Sequence, residues 1–196
     1  MGKDKALLPF LEEPLISRVI QRLSHLADEV LVTTNHPEDY KFLNLPLFPD
    51  LVPGRGALGG LYTALSAASH PLVGIVACDM PFASPELLKG EREILIEDPG
   101  LAAVIPAMPG GNEPFHAVYR KAVCLPAVQA ALDAGKWRAD SWWGQVRLRM
   151  LSPEEVERYD PGGRAFWNVN TPDELAQAEQ AAMKDSNDAK TGAQTK

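Results

Sequence analysis

Cysteine is scarce in this chain: only Cys78 and Cys124 stand among 196 residues. No C-x-x-C pair or Cys/His cluster occurs, so no zinc-binding spacing is present. Cys78, at the end of an apolar run, reads as a small buried residue of a reducing compartment. Positive charge is in deficit, with 19 Lys and Arg against 26 Asp and Glu, a net charge of -7. Phosphate neutralisation along a nucleic acid needs a basic surface, which excludes a nonspecific nucleic-acid binder. A nucleotide substrate stays open, because a few local cations and a metal ion can hold a triphosphate. No apolar run approaches the roughly 20 residues that span a bilayer. Met1-Gly2-Lys3-Asp4-Lys5 carries no signal-peptide apolar core. A soluble, cytoplasmic protein is expected, with neither membrane nor nucleic acid as partner.

What is present has globular proportions, 45% hydrophobic and 23% charged. One domain over residues 1–183 is expected. The last stretch, 184–196, has no core formers beyond alanine and reads as an unstructured tail. Leu15, Val19, Leu23 and Leu26 repeat at helical spacing behind Pro14, a favoured first-turn residue. Glu29 to Thr34 is short and β-branched and stops at Asn35-His36-Pro37, the mark of a strand. A short helix near Glu38 to Phe42, a strand at Leu45 to Phe48 and a helix at Leu58 to Leu65 follow. Leu72 to Cys78 is apolar throughout, which predicts a central strand buried on both faces. Beyond it, strands are predicted at Leu101 to Ile105, Phe115 to Tyr119 and Val146 to Leu151. Helices are predicted from Ser84-Pro85, at Lys121 to Ala134, after Ser152-Pro153 and at Pro172 to Met183. Strands alternating with helices imply an α/β sandwich with a mostly parallel sheet.

Ligands of such sheets gather beyond the carboxyl ends of the strands. Asp79, directly after the most apolar strand, can bind Mg²⁺ there or serve as a turn or cap residue. Asp50 precedes the glycine-rich loop Pro53 to Gly60, whose backbone can approach an anion or a base edge. Arg55 within it reads as a ligand or a solvated loop residue. Thr171-Pro172-Asp173-Glu174 forms a capping box. That box does not account for Asn168 and Asn170, which an extended backbone would aim to one side. Lys5 can act as a point cation for phosphate or lie free on the surface. His25, His36, His70 and His116 are scattered and carry no assigned role.

Five segments together resemble the molybdenum cofactor guanylyltransferases, the molybdopterin-guanine dinucleotide biosynthesis protein A family. Gly2-Lys3-Asp4-Lys5-Ala6-Leu7-Leu8 is similar to the family's G-x-D-K-A-L-L segment, and Gly56-Ala57-Leu58-Gly59-Gly60 to its G-P-L-[AG]-G loop. Cys78-Asp79-Met80-Pro81-Phe82 matches C-D-M-P-F. Glu113-Pro114-Phe115-His116-Ala117-Val118-Tyr119 resembles E-P-L-x-A-x-Y, and Phe166 to Pro172 matches F-x-N-x-N-T-P. Cytidylyltransferase relatives carry D-x-D-T-P where this chain has Asn168-Val169-Asn170, which favours the guanylyl branch.

The resemblance implies a Rossmann-like three-layer αβα fold. It also implies transfer of GMP from GTP to the phosphate of molybdopterin with release of pyrophosphate, and contacts with other cofactor-biosynthesis proteins. Asp79 would hold Mg²⁺, and Lys5 would offset charge toward the pyrophosphate. Asp50 with Gly56 to Gly60 would contact guanine or ribose, and Asn168 and Asn170 would orient the acceptor phosphate or support the metal. Two features depart from the family. Ala57 stands where proline is usual. The family's opening strand and L-A-G-G-x-S-x-R-M-G loop are reduced to Met1-Gly2, so a truncated reading frame is expected, lacking a central strand and most triphosphate donors. Other readings are a nucleotidyltransferase using CTP or a sugar phosphate, or a non-catalytic paralogue that binds without turnover.

Overall fold

The computed structural model describes residues 4–193, with side chains described as far as residue 185. A 3-10 turn over Lys5–Leu7 is capped by the Asp4 carboxylate, which accepts the Ala6 amide at 3.1 Å. A hairpin follows, β1 (Pro9–Phe10) against β2 (Glu13–Pro14). Its turn residues Leu11 and Glu12 have φ of 49° and 75°, left-handed values in side chains that rarely adopt them. Nothing in the sequence marks this turn, because it lacks the usual glycine or asparagine.

Helix α1 (Leu15–Leu23) buries Leu15, Ile16 and Val19 and runs into a 3-10 turn at Ser24–Leu26. Strand β3 (Val32–Thr33) pairs in parallel with β4 (Leu47–Phe48), and a 3-10 helix over Pro37–Leu43 connects them. Next come α2 (Gly56–Ala67), β5 (Leu72–Val76), α3 (Pro85–Glu97), β6 (Ala103–Met108), β7 (Gly111–Asn112), β8 (His116–Arg120) and α4 (Lys121–Asp133). The chain continues through β9 (Leu148–Leu151), α5 (Pro153–Glu157) and α6 (Pro172–Ala193). The anticipated capping box of Thr171 with Glu174 forms, and Ser152, expected as a helix cap, makes a second one with Glu155.

The main sheet runs β5-β8-β6, with β9 and the short β7 both on β6. Strands β5, β6 and β9 share one direction, as the βα alternation predicts, and β8 opposes its neighbours. The sheet is therefore mixed in its hydrogen bonding. A tight connection through β7 returns the chain antiparallel from β6 into β8, with no helix to carry a parallel crossover.

Alternation along the strands sorts side chains into two cores. Ala103, Ile105, Ala117 and Tyr119 meet Leu58, Leu61 and Leu65 of α2 and Cys124, Val128 and Leu132 of α4. Val104 and Val118 face the other way, onto Leu87, Leu88 and Leu95 of α3 and Val156 of α5. Each buried leucine contributes about 1.5–3 kcal/mol. Helices thus cover both faces, giving the αβα layering.

Two expectations need correction. Strand β5 is half-buried along its length, with Gly74 exposed, and not enclosed on both faces. It pairs with β8 on one edge, and no ladder joins its other edge to β3 among the described residues. Helix α6 runs to Ala193, so the segment expected as an unstructured tail from residue 184 is helical that far. Asp185 anchors its start through a paired contact with Arg164, at 2.9 and 3.3 Å. Residues 194–196 of the anticipated tail and the Gly2-Lys3 part of the N-terminal motif lie outside the described residues.

Candidate active site at the end of β5

Strand β5 delivers the loop Ala77 to Ser84, and the rest of the fold braces it from four sides. The Ala77 amide donates to the Phe115 carbonyl at 2.8 Å. The Asp79 carbonyl accepts the Val169 amide at 2.9 Å. Arg22 of α1 donates through Nε to the Ala83 carbonyl at 3.1 Å. The Ser84 amide donates to His116 Nε2 at 3.0 Å. Phe82 is packed edge-on against Phe10 and tilted against Trp167 at 5.4 Å, and the Arg164 guanidinium lies over its ring at 5.1 Å. Pre-organisation of this kind fixes the backbone that carries Asp79.

Lys5 Nζ donates to Asn170 Oδ1 at 2.7 Å, although 165 positions separate them. Lys5 also sits close enough to Asp79 to act on its charge. Burial raises the Asp79 pKa, while its backbone amide and the Lys5 ammonium pull it back. Cys78 packs with Ala6, Val32 and Tyr40, and burial together with the Asp79 and Asp4 charges pushes its thiol up to about 12. Such a thiol is inert as a nucleophile. Asp4 is held in turn by the Tyr40 hydroxyl, which donates to Oδ2 at 2.6 Å. The 3-10 turn at Lys5–Leu7 therefore links the β3 side of the molecule to the end of β5.

Val169 is fully buried between half-buried Asn168 and exposed Asn170, as an extended segment requires. The two asparagines differ in use. Asn168 donates its amide to the nearby Phe166 carbonyl at 3.2 Å. Asn170 reaches Lys5, and its backbone amide is held by Glu174 Oε2 at 2.7 Å.

Asp50 sits at the carboxyl end of β4, beside the matching end of β3. There Asn35 Nδ2 donates to Asp50 Oδ2 at 2.9 Å, and the Asp50 amide donates to Asn35 Oδ1 at 2.9 Å. Gly56 opens α2 with φ of 52° and stands exposed, and Gly60 has open space where a Cβ would project. Gly59 is the tightly packed member: a Cβ there would lie 3.1 Å from the Val52 carbonyl oxygen and from Arg55 Cβ. Arg55 precedes the helix without a side-chain cap bond.

Lys5, Asp79 and Asn170 are thus brought together. Asp50 and the Gly56 to Gly60 loop form a second cluster, and no hydrogen bond or ion pair joins the two clusters among the described residues. No group of three His, Cys, Asp or Glu side chains gathers as a metal cage among those residues. The Asp79 carboxylate alone offers oxygen to a hard cation here, whose shell phosphate oxygens and water would complete, while the Lys5 ammonium, held by Asn170, is placed to meet phosphate charge and not to bind metal.

The model of the MobA-like NTP transferase domain matches residues 1–146. The chain belongs to the MobA-like NTP transferase family. Within it, the chain is 35% identical over 178 residues to a probable molybdenum cofactor guanylyltransferase of Pelotomaculum thermopropionicum, covering 91% of this chain and 85% of that protein. It is 33% identical over 182 residues to the molybdenum cofactor guanylyltransferase of Desulfosudis oleivorans, covering 92% and 88%. Among solved structures, molybdopterin-guanine dinucleotide biosynthesis protein A of Archaeoglobus fulgidus superposes with a TM-score of 0.79 at 24% identity, over 93% of this chain and 92% of that one. The 2-C-methyl-D-erythritol 4-phosphate cytidylyltransferase of Thermus thermophilus shares the fold with a TM-score of 0.70 at 21% identity, over 91% and 94%. Membership makes the chain a nucleotidyltransferase. No helix is long and apolar enough to cross a membrane among the described residues.

Sequence reasoning missed Asn35, read only as the stop of a strand, and the buried pair Glu91 and His116. Glu91 carried a signal: it lies at helical spacing from Leu87 and Leu95, on the stripe that α3 buries.

Proposed function

We propose that this chain transfers GMP from GTP to the terminal phosphate of molybdopterin and releases pyrophosphate, in the cytoplasm. The observation that carries this reading is the meeting of Lys5, Asn170 and Asp79 at the carboxyl end of β5. It is supported by the names of relatives similar over most of the chain.

A phosphate oxygen of the acceptor attacks the α-phosphorus of GTP, and the bond from that phosphorus to the β-phosphate oxygen breaks. Neither step needs a protein nucleophile. Positioning and charge neutralisation are what the protein supplies. Asp79 would hold Mg²⁺, which supplies charge neutralisation across the phosphates when bound. Lys5 offsets negative charge on the departing pyrophosphate as a point cation. Asn170 fixes the direction of the Lys5 ammonium. Asp50, oriented by Asn35, and the amides of the glycine-rich loop contact the guanosine. Asn168 orients the acceptor.

The test is pyrophosphate release with molybdopterin and each of GTP, CTP, ATP and UTP in the presence of Mg²⁺. GTP-selective, metal-dependent release is expected. CTP preference would transfer the assignment to the cytidylyl branch, and full activity in excess chelator would remove the role given to Asp79.

A further inference from the structure

Beneath the Asp79 loop lie two polar side chains that the reaction above does not use. Glu91 of α3 and His116 of β8 are both fully buried. His116 Nε2 receives the Ser84 amide at 3.0 Å. A backbone N–H can only donate, so Nε2 must present a lone pair, and the ring proton of a neutral imidazole then sits on Nδ1. Nδ1 lies 3.8 Å from Glu91 Oε1, longer than a hydrogen bond. Neither Glu91 oxygen nor Nδ1 has a hydrogen-bond partner among the described residues. An ion pair is incompatible with the Ser84 bond, because a protonated ring would turn a second N–H toward that amide. An ionised Glu91 would in turn be an unpaired buried charge, costing several kcal/mol. Both groups are therefore uncharged. Burial pushes Glu91 well above the usual carboxylate range and His116 down to about 4. Ionisation of Glu91 would also oppose that of the buried Tyr119 hydroxyl, which is committed to the Pro114 carbonyl. The edge of Phe166 closes the ring from the α6 side, at 5.4 Å.

We infer that Glu91 and His116 form an uncharged brace that positions the Asp79 loop for turnover, acting through the Ser84 amide. This rests on the reading of Asp79 as the metal-holding carboxylate. The brace joins three elements at one point. His116 hangs from β8, Glu91 from α3, and Ser84 both ends the loop and caps α3, accepting the Leu87 amide at 3.2 Å. The Glu91 carboxyl group lies along the Nδ1 edge at 3.8 Å and, uncharged, offers nothing that would draw a second proton onto the ring, so Nε2 stays free to accept the Ser84 amide. On burial grounds alone a leucine at position 91 would be the more stable choice. His116 and Glu91 are positioning residues and touch no substrate.

The experiment compares His116→Phe, His116→Gln, Glu91→Leu, Glu91→Gln and Asp79→Asn in the full chain. It reads kcat, KM for GTP and hydrogen exchange of the Ser84 amide. Phenylalanine fills the space without an acceptor, and a misplaced loop should lower kcat about 100-fold with KM for GTP little changed and Ser84 exchange accelerated. Glutamine at 116 restores an acceptor and should recover kcat to within about tenfold of wild type. Glutamine at 91 keeps the uncharged acceptor and should track wild type, whereas leucine at 91 should speed Ser84 exchange and lower kcat. In wild type, ¹⁵N spectroscopy should show Nε2 unprotonated and the ring not titrating between pH 5 and pH 8. A folded His116→Phe protein at wild-type kcat, or a Glu91→Gln protein as impaired as His116→Phe, would overturn the brace. A wild-type rate in Asp79→Asn would instead overturn the metal reading, and Ser84 exchange still reports on the brace.

Discussion

The Lys5 ammonium and the Asn170 side-chain oxygen meet at 2.7 Å, tying the first described turn of the chain to the segment that precedes α6. If this contact aims the ammonium at phosphate, its two ends act as one unit. Lys5→Ala should lower kcat by about 10–100-fold, in line with losing a preorganised electrostatic group. Asn170→Ala should cost less, because the charge survives without its guide. The double variant should fall short of the sum by about 0.5–3 kcal/mol, as for contacting residues. Steady-state kinetics of the four proteins measure this. Additive effects would separate the two residues.

Asp79→Asn keeps the shape of the side chain and its carbonyl bond to Val169 but removes the charge. Turnover should fall by at least about 100-fold, with thermal stability unchanged or increased, because a half-buried carboxylate is relieved. Raising Mg²⁺ should recover part of the rate if the residue holds the ion. Loss of folding in this variant would show that the carboxylate is structural.

Asn35 and Asp50 exchange two hydrogen bonds across the ends of β3 and β4. Asn35→Ala should leave Asp50 unguided and raise KM for GTP roughly tenfold, the scale of a hydrogen bond to a charged group. KM for molybdopterin should stay near wild type. An equal rise for both substrates would remove Asp50 from the nucleoside side.

Gly59→Ala places a methyl group 3.1 Å from a backbone oxygen that cannot rotate away. It should destabilise the protein by about 1–3 kcal/mol. Gly60→Ala, where the space is open, should cost less than about 1 kcal/mol in stability. Chemical denaturation distinguishes the two positions. Equal costs would show that the loop relaxes.

The buried pair sets a pH window for stability. The folded-state pKa of Glu91 is raised above its ordinary 4.5, so its contribution is complete below that pH and is lost as pH rises toward the folded value. His116 is lowered from 6.5 to about 4, so its contribution is complete above 6.5 and is lost as pH falls through that window. Glu91→Gln should therefore gain stability over wild type more at pH 8 than at pH 5, read as a larger Tm difference at the higher pH. His116→Gln should flatten the acid limb below 6.5. Thermal melts from pH 4.5 to 8.5 read both.

Local chemistry was legible where one short segment decides the outcome. Thr171-Pro172-Asp173-Glu174 forms the box it spells, and Pro14 precedes a helix. The apolar run at Leu72 did make a strand, but its enclosure depends on neighbours that the run does not specify. The hairpin at Leu11 and Glu12 escaped detection because tertiary packing of Phe10 and Leu15 drives a turn its own residues disfavour. Lys5 and Asn170 meet only through the fold, and Asp50, expected in the same cleft, is tied to Asn35 instead. His116 was passed over because a lone histidine in a strand gives no sign of what lies opposite, and its partner sits on a different element.

The family match ends at residue 146, yet the Asp79 carbonyl and the Lys5 ammonium are each held from beyond that point, by Val169 and Asn170. The ribbon between residues 165 and 171 therefore behaves as a clasp and not as a trailing appendage. Protease nicking near Gly162-Gly163 should leave the first 146 residues standing while unfastening the loop that carries Asp79 and the Lys5 turn, and adding the severed peptide back in trans should fasten them again.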